Sequence, residues 1–271
     1  MVLFIFIIAC TIALPIVGSL TFWPVQHWYD FYIPIVLLIA GLFGGILITA
    51  LVTGTFSLFI NKKKERTKPN KVAYWWLSQG ITCIDMFSRV KCTVIGLKKL
   101  PKGRPFVLVC NHRSNYDPMI IIEKLSLHQI AFISKEANFK IPMVGRFMKG
   151  SLYQSIDRQD RQKALEVVKK CTQFVKDGVT SIGVFPEGTR QKKEIIGPFH
   201  EGVFNIAIHA NAPLVICALK GTQNIAGRAP FRKTKITLKI IGVVEPDELH
   251  NYTAKSLSDM SRELMIDYLS E

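Results

Sequence analysis

The chain has 271 residues with 35 Lys and Arg against 20 Asp and Glu, a net charge of +15 at pH 7. That length suits an anchor and one catalytic domain of the usual ~100 to 200 residues, and two full domains are not expected. The charge is segregated: Asp30 is the only charged side chain before Lys62, so the first sixty residues suit lipid, and the rest suits anionic headgroups or other polyanions.

Met1 to Phe22 is uncharged and lacks the basic start and small-residue cleavage site of a secretory signal, so it is expected to be a retained first helix. Ile33 to Ile60 carries no charge, and at ~1.5 Å per residue it is long enough to cross a ~30 Å hydrocarbon core. Trp23, Trp28, Tyr29 and Tyr32 lie at the turn between them, as an aromatic belt would. Residues 1–60 are thus expected to form a membrane-anchoring helical hairpin. Gly41 and Gly45 form a G-x-x-x-G, and Ala9 and Ala13 a small-x-x-x-small, faces through which two helices pack closely.

The basic cluster Lys62 to Lys71 follows the second helix, and such flanks are retained on the cytoplasmic side. Residues 61–90 are therefore expected to be a basic linker with an interfacial helix, and 91–271 a cytoplasmic catalytic domain. On this topology the sequon Asn251-Tyr-Thr253 is unused. Within Val72 to Val90, the residues Trp76, Leu77, Ile81, Ile84 and Phe87 recur near helical spacing. The stripe predicts an amphipathic helix, lying on the membrane surface or packed on the soluble core.

From Lys91 onward, strands are predicted at Lys91 to Ile95, Phe106 to Cys110, Gln129 to Ile133, Ser181 to Phe185, Pro213 to Leu219 and Lys235 to Val244. Helices are predicted at Met119 to Leu125, Asp160 to Lys176, Phe199 to His209 and Thr253 to Leu269. This alternation makes an α/β fold with a parallel or mixed sheet and flanking helices. The six cysteines form no C-x-x-C pair and suggest neither a zinc site nor a disulfide framework. Phosphate-binding glycine loops and G-x-S-x-G are absent, which argues against a P-loop enzyme or a nucleophile-elbow hydrolase.

Chemistry concentrates where apolar strands open into polar loops. In Cys110-Asn-His-Arg-Ser-Asn-Tyr-Asp-Pro118, His112 and Asp117 have a spacing that allows a carboxylate to orient an imidazole. The alternative makes Asp117 a helix N-cap ahead of Pro118 and His112 a hydrogen-bonded loop residue. In Val184-Phe-Pro-Glu-Gly-Thr-Arg190, a tight turn exposes backbone N–H groups and Arg190 offers a planar fork for phosphate. Its alternative is a turn closed by a Glu187 to Arg190 ion pair.

These segments, in this order and separation, resemble the 1-acylglycerol-3-phosphate (lysophosphatidic acid) acyltransferase family. Ser134-Lys-Glu136, Ile141-Pro142, Gly145, Gly150 and Ile156-Asp-Arg158 resemble a further family motif, and Pro213-Leu-Val-Ile-Cys-Ala218 another. The chain departs from the family at Gln191, where Ser is usual, and at His200, where Lys usually follows Phe199. The resemblance implies that His112 is the general base and Asp117 its support. It also implies that Glu187, Gly188 and Thr189 belong to the acceptor-binding block, and that Lys135 and Arg190 hold the acceptor phosphate.

The implied reaction moves an acyl group from acyl-coenzyme A or acyl carrier protein, as cosubstrate, to lysophosphatidic acid, with no metal or organic cofactor. Membrane lipids are the expected surroundings, on a cell or endoplasmic reticulum membrane. No serine or cysteine is placed as a covalent nucleophile, so direct transfer is expected. Sibling acyltransferases acting on glycerol 3-phosphate or another lysophospholipid, and a noncatalytic lipid-binding protein, are the alternatives. Nucleic-acid binding is not expected, since no zinc finger, basic zipper or RNA-binding aromatic motif is evident.

Overall fold

The computed structural model describes residues 2–22, 32–61, 64–157, 160–191 and 196–270. Trp23, Trp28, Tyr29, Lys62, Arg158 and Lys192 lie outside them. The chain divides into two compact units, Met1–Asn61 and Lys62–Glu271.

The first unit holds α1 (Val2–Phe22) and α2 (Tyr32–Leu58). Among the described residues α2 is the helix long and apolar enough to cross a membrane. Gly41 and Gly45 are buried, and a Cβ on either would press on the main chain of α1 at Thr11 or Ile7. The G-x-x-x-G face therefore carries the helix contact. Ala9 and Ala13 do not: both are exposed, because Ile7, Cys10 and Thr11 occupy the facing positions instead.

The second unit opens with α3 (Lys71–Phe87), capped by Asn70, whose Oδ1 accepts from the Val72 and Ala73 N–H groups at 3.0 and 3.1 Å. One face of α3 buries Ala73, Tyr74, Leu77 and Ile81, while Val72, Trp75, Ile84, Met86 and Phe87 stay exposed. Part of the apolar stripe, Leu77 and Ile81, is thus packed on protein, and Ile84 and Phe87 of the same stripe are left exposed.

Seven strands follow: β1 (Val90–Ile95), β2 (Val107–Cys110), β3 (Ile130–Lys135), β4 (Gln154–Ile156), β5 (Ser181–Val184), β6 (Leu214–Lys220) and β7 (Thr234–Val244). Their order in one sheet is β1-β7-β6-β2-β5-β3-β4. The five strands from β6 to β4 run parallel; β7 is antiparallel to β6 and parallel to β1. Central β2 and β5 are buried along their whole length, which is why their runs read as continuously apolar. Between strands lie α4 (Asp117–Lys124), α5 (Glu136–Phe139), α6 (Val144–Gly150), α7 (Arg161–Lys176), α8 (Asn205–Ala210) and α9 (Ile225–Arg228), and α10 (Pro246–Leu249) and α11 (Ala254–Ser270) follow β7.

Two expectations need correction. The helix expected over Phe199 to His209 is a 3-10 turn, Glu201–Phe204, followed by the shorter α8. His200 has extended backbone and donates its N–H to the Pro186 carbonyl at 2.8 Å, so no helix can begin before it. Asp117 is not an N-cap: α4 starts on it, and Tyr116 precedes it without a side-chain cap bond.

Candidate active site

The carboxyl ends of β2, β5 and β3 share one edge of the sheet, where open α/β folds place their chemistry. Asn111, one residue past β2, sets the position. Its buried side chain donates Nδ2 to the Leu219 carbonyl at 3.0 Å, and its Oδ1 accepts from the Leu219 N–H at 2.8 Å. A side chain thus continues the β2–β6 pairing for one more rung and releases the main chain as a loop at His112.

The Asp117 carboxylate folds back onto that loop. Its Oδ2 receives the Arg113 N–H at 2.6 Å, the Ser114 N–H at 2.7 Å and His112 Nδ1 at 2.8 Å. Asp117 is fully buried, so an ionised carboxylate there depends on these donors and on the start of α4 beside it. An ionised carboxylate only accepts, which puts the imidazole proton on Nδ1 and leaves the Nε2 lone pair free. The His112 side chain keeps 17% exposure, enough for a small group to approach.

The second segment grips the main chain of the same residue. Glu187 Oε1 accepts from the His112 N–H at 2.6 Å, and the Gln191 N–H donates to the His112 carbonyl at 2.9 Å. Gly188 closes the intervening turn at φ +69°, a conformation that suits glycine, with its N–H on the Phe185 carbonyl at 3.0 Å. Glu187 Oε2 accepts from the Gly197 N–H at 3.2 Å. Arg262 of α11 then fixes that loop, its Nε and Nη2 on the carbonyls of Gly197 and Ile196 at 3.0 and 2.9 Å.

Both Glu187 oxygens are therefore taken by main-chain donors, and a Glu187–Arg190 ion pair is not formed among the described residues. Burial pushes the Glu187 carboxyl above its usual range, and the two N–H donors oppose that shift. The face of the imidazole is covered as well. Phe185 stacks on it at 4.3 Å between ring centroids, and Phe132 stacks on Phe185 at 5.4 Å.

Gly188 is buried, whereas Thr189 and Arg190 are exposed beyond the turn. Lys135 ends β3, and since Phe132 lies opposite Gly183, it stands level with the turn at Pro186 on the same edge. Its side chain is exposed. His112, Asp117 and Glu187 are thus joined directly; Lys135 and Arg190 share the edge without a mutual contact. Cys110, two residues from His112, is fully buried, and burial first, then neighbouring Cys217, holds its thiol well above the usual range. Such a thiol is no nucleophile. No cluster of three or more metal-ligating side chains occurs among the described residues.

Sequence reading missed Asn111, Phe185, Gly197 and Arg262. Asn111 and Phe185 sit inside the motif segments, so their position at strand ends was a usable signal. Gly197 and Arg262 had none.

A family model described as Acyltransferase matches residues 91–220. The chain is 35% identical over 190 residues to 1-acyl-sn-glycerol-3-phosphate acyltransferase BAT2, chloroplastic, of Brassica napus, covering 69% of this chain and 53% of that protein. It is 26% identical over 157 residues to the 1-acyl-sn-glycerol-3-phosphate acyltransferase of Haemophilus influenzae, covering 57% and 63%. The crystal structure of the 1-acyl-sn-glycerophosphate acyltransferase PlsC from Thermotoga maritima superposes with a TM-score of 0.60 at 25% identity, over 83% of this chain and 91% of that one. The chain spans about half the length of the plant relatives it matches. Because the matched residues 91–220 contain both segments that hold His112, sequence likeness and geometry meet on the same atoms: the chain belongs to the acyltransferase family that contains the 1-acyl-sn-glycerol-3-phosphate acyltransferases.

Proposed function

We propose that this protein transfers a fatty acyl group from an acyl thioester to the free hydroxyl of lysophosphatidic acid, giving phosphatidic acid. The observation that carries the proposal is His112, held by the Asp117 carboxylate at Nδ1 and open at Nε2. Nε2 takes the hydroxyl proton as the oxygen attacks the thioester carbonyl, a contribution of about 10² to 10⁴-fold in rate. The new ester C–O bond forms, the C–S bond breaks, and the proton passes from His112 to the leaving thiolate. Asp117 balances the positive charge on the ring in between. Direct transfer in a ternary complex is favoured because Cys110, the thiol two residues before His112, is buried and held in its protonated form by that burial.

Arg190 and Lys135 are proposed to bind the acceptor phosphate, and both are exposed at the edge that carries His112. The donor is acyl-coenzyme A or acyl carrier protein, without a metal or organic cofactor. The apolar α2 is proposed to anchor the enzyme, with the second unit on the cytoplasmic face, where substrate enters from the leaflet.

Full-length protein assayed with either donor against lysophosphatidic acid, glycerol 3-phosphate and lysophosphatidylcholine tests this. Lysophosphatidic acid should be preferred, because an exposed phosphate monoester accepts a bidentate Arg190 and a choline-capped phosphate crowds it. Arg190→Ala should lose about 10 to 150-fold in kcat/KM toward that acceptor, from charge-assisted hydrogen bonds worth ~1.5 to 3 kcal/mol. Equal use of lysophosphatidylcholine, or an unchanged preference in Arg190→Ala, would remove the phosphate assignment.

A further inference from the structure

The edge of the sheet that holds His112 carries a second surface outside the acyl-transfer machinery. β6 ends at Lys220 and β7 returns antiparallel from Thr234, so residues 221–233 cross this same edge. β1 is parallel to β7 with Val90 opposite Thr234, which brings the C-terminal end of α3 there too. The register gives the reach. Leu219, the partner of Asn111, lies opposite Leu238, and Thr234 is four residues farther out, roughly 13 Å at the ordinary rise of a strand.

On this overhang Phe231 is 83% exposed, and Arg228, Arg232 and Lys233 are exposed around it. Arg89, just after α3, donates Nη1 to the Phe231 carbonyl at 3.0 Å, and its own carbonyl accepts from the Thr234 N–H at 3.2 Å. Loop and helix end are therefore one surface, to which α3 adds exposed Ile84, Met86 and Phe87. No Asp or Glu occurs between Glu201 and Glu245, while Lys220, Arg228, Arg232, Lys233, Lys235 and Lys239 do.

We propose that the 226–233 segment, from α9 through the turn that follows it, and the C-terminal end of α3 dock on an anionic lipid bilayer and hold the active edge against the leaflet. Apolar tips on a protruding, single-sign basic loop suit entry into the boundary between headgroups and chains, with the cations on lipid phosphates. A projection suits a soft surface better than it suits a rigid partner, and the chain carries a helix fit to span that bilayer. The inference rests on the acyl-transfer proposal only for the use of docking, which is delivery of a lipid acceptor.

Hydrogen–deuterium exchange of the full chain, in detergent micelles, in phosphatidylcholine vesicles and in vesicles with added phosphatidylglycerol, tests it. Amides in 226–233 should exchange at least about tenfold more slowly in the anionic vesicles than in the other two, since three cations at about fivefold each favour the docked state by about 10²-fold. The combined variant Arg228→Ser, Arg232→Ser, Lys233→Ser should lose that slowing yet turn over micellar acceptor at the wild-type rate. Equal exchange in all three settings overturns the proposal, as does slowing that the variant retains. A variant equally impaired in micelles and vesicles places the loop in the fold or the site, and slowing produced only by an acidic carrier protein makes the occupant a protein; either result overturns docking on lipid. Slowed exchange in a protein without lysophosphatidic acid acyltransferase activity would instead remove the proposed function and leave the docking surface standing.

Discussion

Asp117 and Glu187 are both buried carboxylates bonded to His112, yet Asp117 holds the ring from 5 residues away in sequence and Glu187 holds the main chain from 75. Asp117 works inside one loop, where α4 turns it back on the residues just before it. Glu187 works across the sheet, from the turn after β5, and is itself steadied by Gly197 and Arg262. The difference separates two requirements of the general base proposed at His112: which way the imidazole faces is set locally, and where it sits is set by the tertiary fold.

The largest expected effect removes the shared object of both contacts. His112→Ala should lower kcat by at least about 10²-fold while the protein stays folded and membrane-bound, and retention of a tenth of the activity would place the base elsewhere. Asp117→Asn comes next. The amide oxygen can still accept from Arg113 and Ser114 but no longer supplies a charge to the ring, so kcat should fall by roughly 10 to 10²-fold with KM little changed. An equal loss in thermal stability and turnover would show that Asp117 is chiefly a structural residue.

Glu187→Gln should act on the other side of the comparison. Its amide nitrogen must face either the His112 or the Gly197 N–H, so one buried donor loses its acceptor at a cost of about 1 to 3 kcal/mol. Thermal unfolding should detect this, and kcat should drop by about tenfold, less than for Asp117→Asn. If the order of the two turnover losses were reversed, backbone placement would outweigh ring orientation.

The smallest effect lies away from His112. Burial in α3, beside Glu123 of α4, pushes the Asp85 carboxyl up to about 8. A carboxyl that binds its proton more tightly when folded supports stability fully below its unfolded value near 4, and that support is lost as pH rises through about 8. Asp85→Asn should therefore flatten the fall in Tm between pH 5 and 9 and raise Tm by a few degrees at pH 8, without altering acceptor preference. An unchanged slope of Tm against pH would show that Asp85 is ionised in the folded protein.

The same contrast explains what could be read in the sequence. β1, β2, β3, β5, β6 and β7 stood out as short β-branched runs, and His112, Asp117 and the turn around Glu187 stood out as polar residues following such runs. β4 has only three residues and carries Gln154 and Ser155, so no apolar pattern marked it. Arg262 looked like any cation on an amphipathic helix, because its partners are main-chain carbonyls 65 and 66 residues earlier. Local chemistry leaves a local trace; main-chain acceptors leave none. The departure at Gln191 illustrates this, since its contact with His112 uses only the backbone N–H and tolerates a changed side chain.

The pairing of β2 with β5 and β6 has a consequence in time as well as in space. Val107 lies beside Ile182 and Leu214, so the central strands meet only after long stretches of chain have been closed into loops. Non-local parallel pairing slows folding relative to the formation of helices such as α7 and α11. The contacts of Glu187 and Gln191 with His112 span similar separations and cannot precede that pairing. During refolding, recovery of acyl transfer should therefore trail recovery of helical signal, making activity a clock for the last strands to close.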